Sequence, residues 1–250
     1  MPMQWGPTKI GAMQYNGVTI GEAMTDGQVV YRSLPVVTIT GTSGYESSNQ
    51  FRAACIAYGT TNQTVTELPF LLDTSQATTL ASLFQGCAAL TTVPNLDTSK
   101  ATDVSFMFRD CSALTTVPNL DTSKATNLTA MFQGCAALTS VPNLNTSQAT
   151  STGSMFYGCS ALTTAPNLDT SKATDVSFMF RGCSSLTTVP NFDTSSATTL
   201  SSMFEGCSSL TTAPNLNPSQ ATNLSFMFWG CSSLTTAPNL NTSKATNVTA

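Results

Sequence analysis

Histidine is absent from the 250-residue chain. That absence removes the commonest general base, the Ser-His and Cys-His nucleophile pairs and the commonest metal ligand, and so argues against most hydrolytic chemistry. Charge is scarce as well. Asp, Glu, Lys and Arg make up 9% of the residues, where about 25% is usual. Nine Lys+Arg against 13 Asp+Glu leave a net charge of −4, without the basic face that a nucleic-acid backbone requires. Since 41% of the residues are apolar, the surface has to be built from Ser, Thr, Asn and Gln. No apolar run approaches the roughly 18 residues of a membrane helix. Met1–Pro7 lacks the basic and apolar regions of a secretion signal, so the expectation is neither a membrane span nor general secretion. The sequons Asn127-Leu128-Thr129 and Asn223-Leu224-Ser225 then read as by-products of a Ser/Thr/Asn-rich repeat. Glycine-rich phosphate loops and nucleophile elbows are missing too.

What is present is repetition. Leu83-Phe84-Gln85-Gly86-Cys87 recurs as MFRDC at 107, MFQGC at 131, MFYGC at 155, MFRGC at 179, MFEGC at 203 and MFWGC at 227, always 24 residues on. Residues 83–250 therefore hold seven units with the consensus MFxGCSSLTTVPNLDTSKATNLSx. A period of this length with regular Leu predicts a leucine-rich-repeat-like solenoid, each coil stacked on the last. Leu114, Val117 and Leu120 predict a short inward-pointing strand that Pro118 keeps irregular. Asp121-Thr122-Ser123 predicts a turn or N-cap, and Ala125, Leu128, Met131 and Phe132 follow at roughly helical spacing until Gly134. The expectation there is a short helix.

The flanks differ from the repeats. Phe51–Cys55 imitates the MFxGC corner and Leu68–Ser75 imitates LTTVPNLDTS, with an excess around Tyr58–Thr64, so 51–82 read as a degenerate N-terminal cap repeat. Residues 1–50 read as a small β-meander of Ile10–Tyr15, Val18–Met24 and Gln28–Arg32, turned by Asn16-Gly17 and Asp26-Gly27, with Val36–Thr40 as a fourth strand. This module either docks onto another protein by strand addition or caps the solenoid. At the other end the apolar core runs to Val248 without a polar cap. An apolar end face is expected there, covered by a partner or by further chain.

The repeats align residues into columns. Cys87, Cys111, Cys135, Cys159, Cys183, Cys207 and Cys231 should stack about 4.8 Å apart, and are expected to be buried free thiols acting as small hydrophobes. One Cys per unit lacks the close spacing of a metal site. Asn95, Asn119, Asn143, Asn167, Asn191, Asn215 and Asn239 predict a structural ladder that satisfies backbone groups. Asp97 with Asp121 and Asp169 with Asp193 could pair as carboxylates or hold a cation, but Asn145, Asn217 and Asn241 share that column, as at a capping position.

Between Phe and Gly the copies differ freely: Gln85, Arg109, Gln133, Tyr157, Arg181, Glu205 and Trp229. Variation among copies marks exposure, so Arg109, Tyr157, Arg181, Glu205 and Trp229 form a candidate partner-binding surface, Tyr, Trp and Arg being common in binding hot spots. Neutral drift at a solvated corner is the alternative. A second candidate is the hydroxyl face of Thr91, Thr115, Thr163, Thr187, Thr211 and Thr235, suited to hydrogen-bonding sugars, ordering water as ice-binding solenoids do, or plain solubility.

The string MFxGCSSLTTxPNLDTSxATNLSxMF resembles the bacterial surface leucine-rich repeats of the BspA-like type, in the variant called the DUF285 repeat family, over about 83–250. The resemblance implies a solenoid for adhesion or recognition, without catalysis or cofactor. Residues 15–31, YNGVTIGEAMTDGQVVY, are similar to short N-terminal modules of bacteriophage tail-associated proteins. That similarity implies a virion protein assembled in the host cytoplasm, with 1–50 contacting other proteins of the assembly and the repeats meeting a host-surface protein or glycan. A bacterial cell-surface adhesin fragment and a stand-alone ice- or glycan-binding solenoid are the alternatives.

Overall fold

The computed structural model describes the backbone of residues 12–15, 18–25 and 28–33, and residues 34–236 and 238–249 in full. Strands β1 (Ala12–Tyr15), β2 (Val18–Thr25) and β3 (Gln28–Ser33) form an antiparallel meander in the order β1-β2-β3. Tyr15 pairs with Val18 and Thr25 with Gln28, the register of two-residue hairpin links. The turn dipeptides Asn16-Gly17 and Asp26-Gly27 themselves lie outside the described residues.

The strand expected at Val36–Thr40 departs from the meander. It is β4 (Val36–Thr38), and it pairs in parallel with β5 (Leu71–Asp73). β5 falls on the NLD position of the degenerate unit, so it needs a parallel partner on its outer side, and β4 supplies one. The Ile39 N–H continues the ladder to the Asp73 carbonyl at 2.8 Å, and the Gly41 carbonyl accepts the N–H groups of Thr78 and Thr79 at 3.0 Å. Helix α1 (Glu46–Ala57) follows and crosses the boundary expected between 50 and 51. Its Glu46 carboxylate accepts the Thr42 N–H at 2.9 Å and sits in the first turn, where the helix dipole favours an anion. Its inner face buries Phe51, Ala54 and Cys55. The Phe51 ring meets Phe84 edge-on at 4.9 Å and 75°. Residues 36–57 thus cover the open end of the first repeat. Gly41 is required by this close approach, since a Cβ there would collide with the Ser47 hydroxyl and the Thr79 carbonyl.

Beyond this cap, each unit hydrogen-bonds to its counterpart 24 residues on. Parallel bridges join Thr79 to Asp103, Asp103 to Asn127, Asn127 to Ser151, and so on to Asn247. Identical side chains therefore lie on one another. The rings of Phe84, Phe108, Phe132, Phe156, Phe180, Phe204 and Phe228 run in a column with centroids 5.3–5.7 Å apart and planes within 11°. Columns of Leu, Met, Ala and Cys complete the buried core.

The segment expected to be a short helix is not helical: among the described residues α1 is the one α-helix. The reason lies in the destination of alternate N–H groups. Those of Leu128, Ala130, Phe132 and Gly134 donate across to Ser151, Gly153, Met155 and Tyr157 of the next unit, at 2.7–3.0 Å. Those between them, on Met131, Gln133 and Cys135, close tight turns back onto Leu128, Ala130 and Phe132 at 3.1–3.2 Å. An α-helix would instead send each N–H beyond its first turn to the carbonyl four residues back. Ala130 (φ 54°) and Gly134 (φ 76°) take left-handed conformations that close the corner. The i, i+3 recurrence of apolar residues belongs to this chain of turns.

The stretch from Leu114 to Leu120 is likewise no continuous strand. Thr164 and Thr188 make a single bridge in this region, and the other links among the described residues are sparse, at most one N–H per unit, from 3.1 Å for Thr187 to the Thr163 carbonyl to 3.4 Å for Thr139 to the Thr115 carbonyl. Proline in every unit removes a ladder donor here.

Candidate functional site

The variable corner is a fixed backbone that carries changing side chains. Each corner residue accepts through its carbonyl from the previous unit: Gly134 N–H to Tyr157, Gly158 to Arg181, Gly182 to Glu205 and Gly206 to Trp229, all at 2.7 Å. Its own N–H closes a turn onto the residue three before it, as from Arg181 to the Phe178 carbonyl at 3.1 Å. With both backbone groups engaged, the side chain is free to differ between units.

The structure brings Tyr157, Arg181, Glu205 and Trp229 onto one stretch of this corner. The Arg181 guanidinium lies 5.6 Å from the Tyr157 ring and 5.7 Å from the Phe178 ring, in cation–π range. Its Nη2 contacts the Glu205 carboxylate at 2.7 Å. Trp229 is 60% exposed and walls a cleft of about 440 Å³ that Arg181 and Glu205 also line. Arg109 stands apart, 5.6 Å from the Phe106 ring and 3.4 Å from the Asp110 carboxylate.

A second variable column borders the first and was missed in the sequence. Ser82, Phe106, Ala130, Ser154, Phe178, Ser202 and Phe226 each have φ of 54–59°. Phe178 and Phe226 line the same cleft, and Phe226 is 41% exposed. The signal is the alternation of Ser, Ala and Phe among copies at the position before Met-Phe.

The hydroxyl face is exposed at Thr91, Thr115, Thr163, Thr187, Thr211 and Thr235. Four of these hydroxyls donate to backbone carbonyls of the preceding unit: Thr91 to Thr66, Thr115 to Thr91, Thr187 to Thr163 and Thr211 to Thr187, at 3.2–3.4 Å. These hydroxyls help tie the units together.

The asparagine ladder requires a correction. Asn95, Asn119, Asn143, Asn167, Asn191, Asn215 and Asn239 are exposed. Among the described residues the column shows one interunit bond, from the Asn215 N–H to the Asn191 side-chain oxygen at 3.0 Å. Threonine fills the buried role instead. Thr74, Thr98, Thr122, Thr146 and Thr170 donate to the carbonyls of Asp97, Asp121, Asn145, Asp169 and Asp193 at 2.7–2.9 Å. A hydroxyl can be buried once its single proton is placed, whereas an amide brings two donors and an acceptor to satisfy.

The carboxylate column caps turns. Asp97, Asp121, Asp169 and Asp193 accept the N–H of Ser99, Ser123, Ser171 and Ser195 at 2.9–3.0 Å. Hydrogen bonds from the serine hydroxyls, then from these N–H groups, hold all four below the usual carboxylate range. Asn145 accepts the same bond from Ser147 at 3.1 Å. Among the described residues no three His, Cys, Asp or Glu side chains converge as a metal site.

All eight cysteines are buried free thiols. From Cys111 to Cys231 each repeat thiol donates to a Phe carbonyl of the previous unit at 3.1 Å, Cys111 to Phe84 being the first. Burial pushes Cys135 and Cys183 up to about 12, which suppresses the reactive thiolate near neutral pH.

Residues 57–167 and 162–250 match a family model described as Mycoplasma protein of unknown function, DUF285. The chain belongs to this DUF285 family. No curated protein and no solved structure matches it.

Proposed function

We propose that this chain is a non-enzymatic binding solenoid that presents its variable corner to a cell surface. The observation that carries the reading is the contrast between a backbone hydrogen-bonded identically in successive units and side chains that change with each unit, gathering Tyr157, Arg181, Glu205 and Trp229 on one stretch. Aromatic and Arg side chains carried on a backbone that is already fixed leave less to be ordered on binding. Membership of the DUF285 family supports a surface-recognition role through its BspA-like relatives. The virion setting rests on the similarity of 15–31 to phage tail modules and on the edge positions of β1 and β3 in the meander, since edge strands suit strand addition.

Binding of labelled full-length protein to a panel of bacterial cells tests the reading. Replacing Tyr157, Arg181 and Trp229 together by Gln, the residue found at Gln85 and Gln133, should weaken binding about tenfold or more. Unchanged binding overturns the proposal. For the virion setting, removal of 1–33 should abolish incorporation into particles while leaving β4, α1 and the repeats folded. Normal incorporation refutes docking by this module.

A further inference from the structure

The second variable column carries a cost that its role in the fold does not explain. Bulky residues avoid the left-handed region, yet Phe178 and Phe226 occupy it with φ of 57° and 55°. Ser82, Ala130, Ser154 and Ser202 hold the same backbone position, so the turn needs no aromatic ring. Strain of this kind, at a partly exposed Phe178 and an exposed Phe226, points to a binding role.

The arrangement around these rings is specific. Phe178 and Phe226 stand two units apart, where the buried Phe column advances in steps of 5.7 and 5.4 Å. The small Ser202 lies between them in the column, and Trp229, Arg181 and Glu205 line the same recess. The recess of about 440 Å³ falls within the size range of small-molecule sites, about 300–1,000 Å³. Arg181 and Glu205 neutralise each other at 2.7 Å, so the recess offers N–H donors and carboxylate acceptors together without a net charge. That pairing suits vicinal hydroxyls, each both donor and acceptor, better than a phosphate or an ammonium group. The π faces, negative at their centres, attract the electropositive C–H edges of a sugar ring.

We infer that the cleft between Phe178 and Phe226 binds a pyranose unit of a glycan, with Phe178, Phe226 and Trp229 as stacking surfaces and Arg181 and Glu205 bonding its hydroxyls. This deepens the surface-binding proposal and rests on it for its biological setting, although the cleft can be tested alone.

The full-length chain, with Trp5→Phe so that Trp229 is the reporting fluorophore, is titrated with the methyl pyranosides of glucose, galactose, mannose and N-acetylglucosamine. It is also screened on a glycan array. At least one pyranoside or array glycan should bind saturably and shift the Trp229 emission. Phe178→Ser should weaken that binding about tenfold, as should Trp229→Gln followed on the array. Each replacement occupies the same column in another unit, and circular dichroism melting should stay unchanged. Phe106→Ser, outside the cleft, should bind as the parent does. No saturable sugar binding, or equal affinity in Phe178→Ser and Trp229→Gln, overturns the inference. On cells, loss of adhesion after periodate supports the glycan. Loss after protease but not periodate leaves the surface-binding reading standing and overturns this one. Sugar binding without any cell adhesion does the reverse.

Discussion

The two sides of each repeat unit are held by different means. On the turn side, Leu128 to Gly134 send every second N–H into the next unit at 2.7–3.0 Å, with Phe132 stacked between Phe108 and Phe156. On the proline side, Thr115, Thr139, Thr187 and Thr211 reach the previous unit at 3.1–3.4 Å, and Val117 and Val141 are only half-buried. Shorter, denser bonding makes the turn side the rigid one, and the variable corner lies on it. A binding surface placed there is pre-organised, whereas the same residues on the proline side would have to be ordered on binding.

The largest break in this comparison should come from the Phe column. Phe156→Ala removes a fully buried ring stacked on both neighbours and should cost about 3–5 kcal/mol in urea unfolding. Val141→Ala on the proline side should cost about 1 kcal/mol or less. Equal losses at the two positions would erase the distinction.

Next in size is the closure of the first unit. Gly41→Ala places a Cβ against the Ser47 hydroxyl and the Thr79 carbonyl and should cost about 2–3 kcal/mol by the same measurement, by strain and overpacking. Thr146→Val, which deletes the buried bond to the Asp169 carbonyl at 2.9 Å, should cost about 1–2 kcal/mol.

The thiols give the comparison a pH axis. Burial raises Cys135 and Cys183 from the ordinary 9.0 to about 12. The unfolded chain therefore releases these protons first, and stability is full below pH 9.0 and declines as pH rises toward about 12. Urea midpoints from neutral to alkaline pH should show the decline, and Cys135→Ala with Cys183→Ala should lessen it, the remainder coming from the other raised thiols such as Cys55 and Cys231. A thiol reagent should find none of the eight cysteines reactive in the native protein at neutral pH and all eight after unfolding without reductant.

The smallest effect belongs to the exposed hydroxyl face. Thr115→Val loses a 3.4 Å bond to the Thr91 carbonyl, and its unfolding free energy should stay within about 0.5 kcal/mol of the parent.

Much of the buried set was legible because seven copies average out local accident. Leu114, Cys135 and Phe132 recur without change in kind, and each is fully buried. The helix expected over Ala125–Gly134 was misread because alternating turns share the i, i+3 spacing of a helix. The asparagines drew attention by their regularity, yet Thr146 and its equivalents, equally regular, carry the buried bonds. Phe106, Phe178 and Phe226 went unnoticed as a column because Phe reads as core, and its left-handed backbone has no signature in residue type.

By itself, then, the sequence determined the 24-residue step, the inward columns and the corner left free to vary, since these follow from which residue types tolerate burial and which positions tolerate change. The tertiary structure alone decided that β4 pairs with β5, that alternate N–H groups leave the unit, and that Phe178 and Phe226 face one cleft. Each of these is a contact between residues far apart in the chain, and its partner is chosen by geometry that no local pattern encodes.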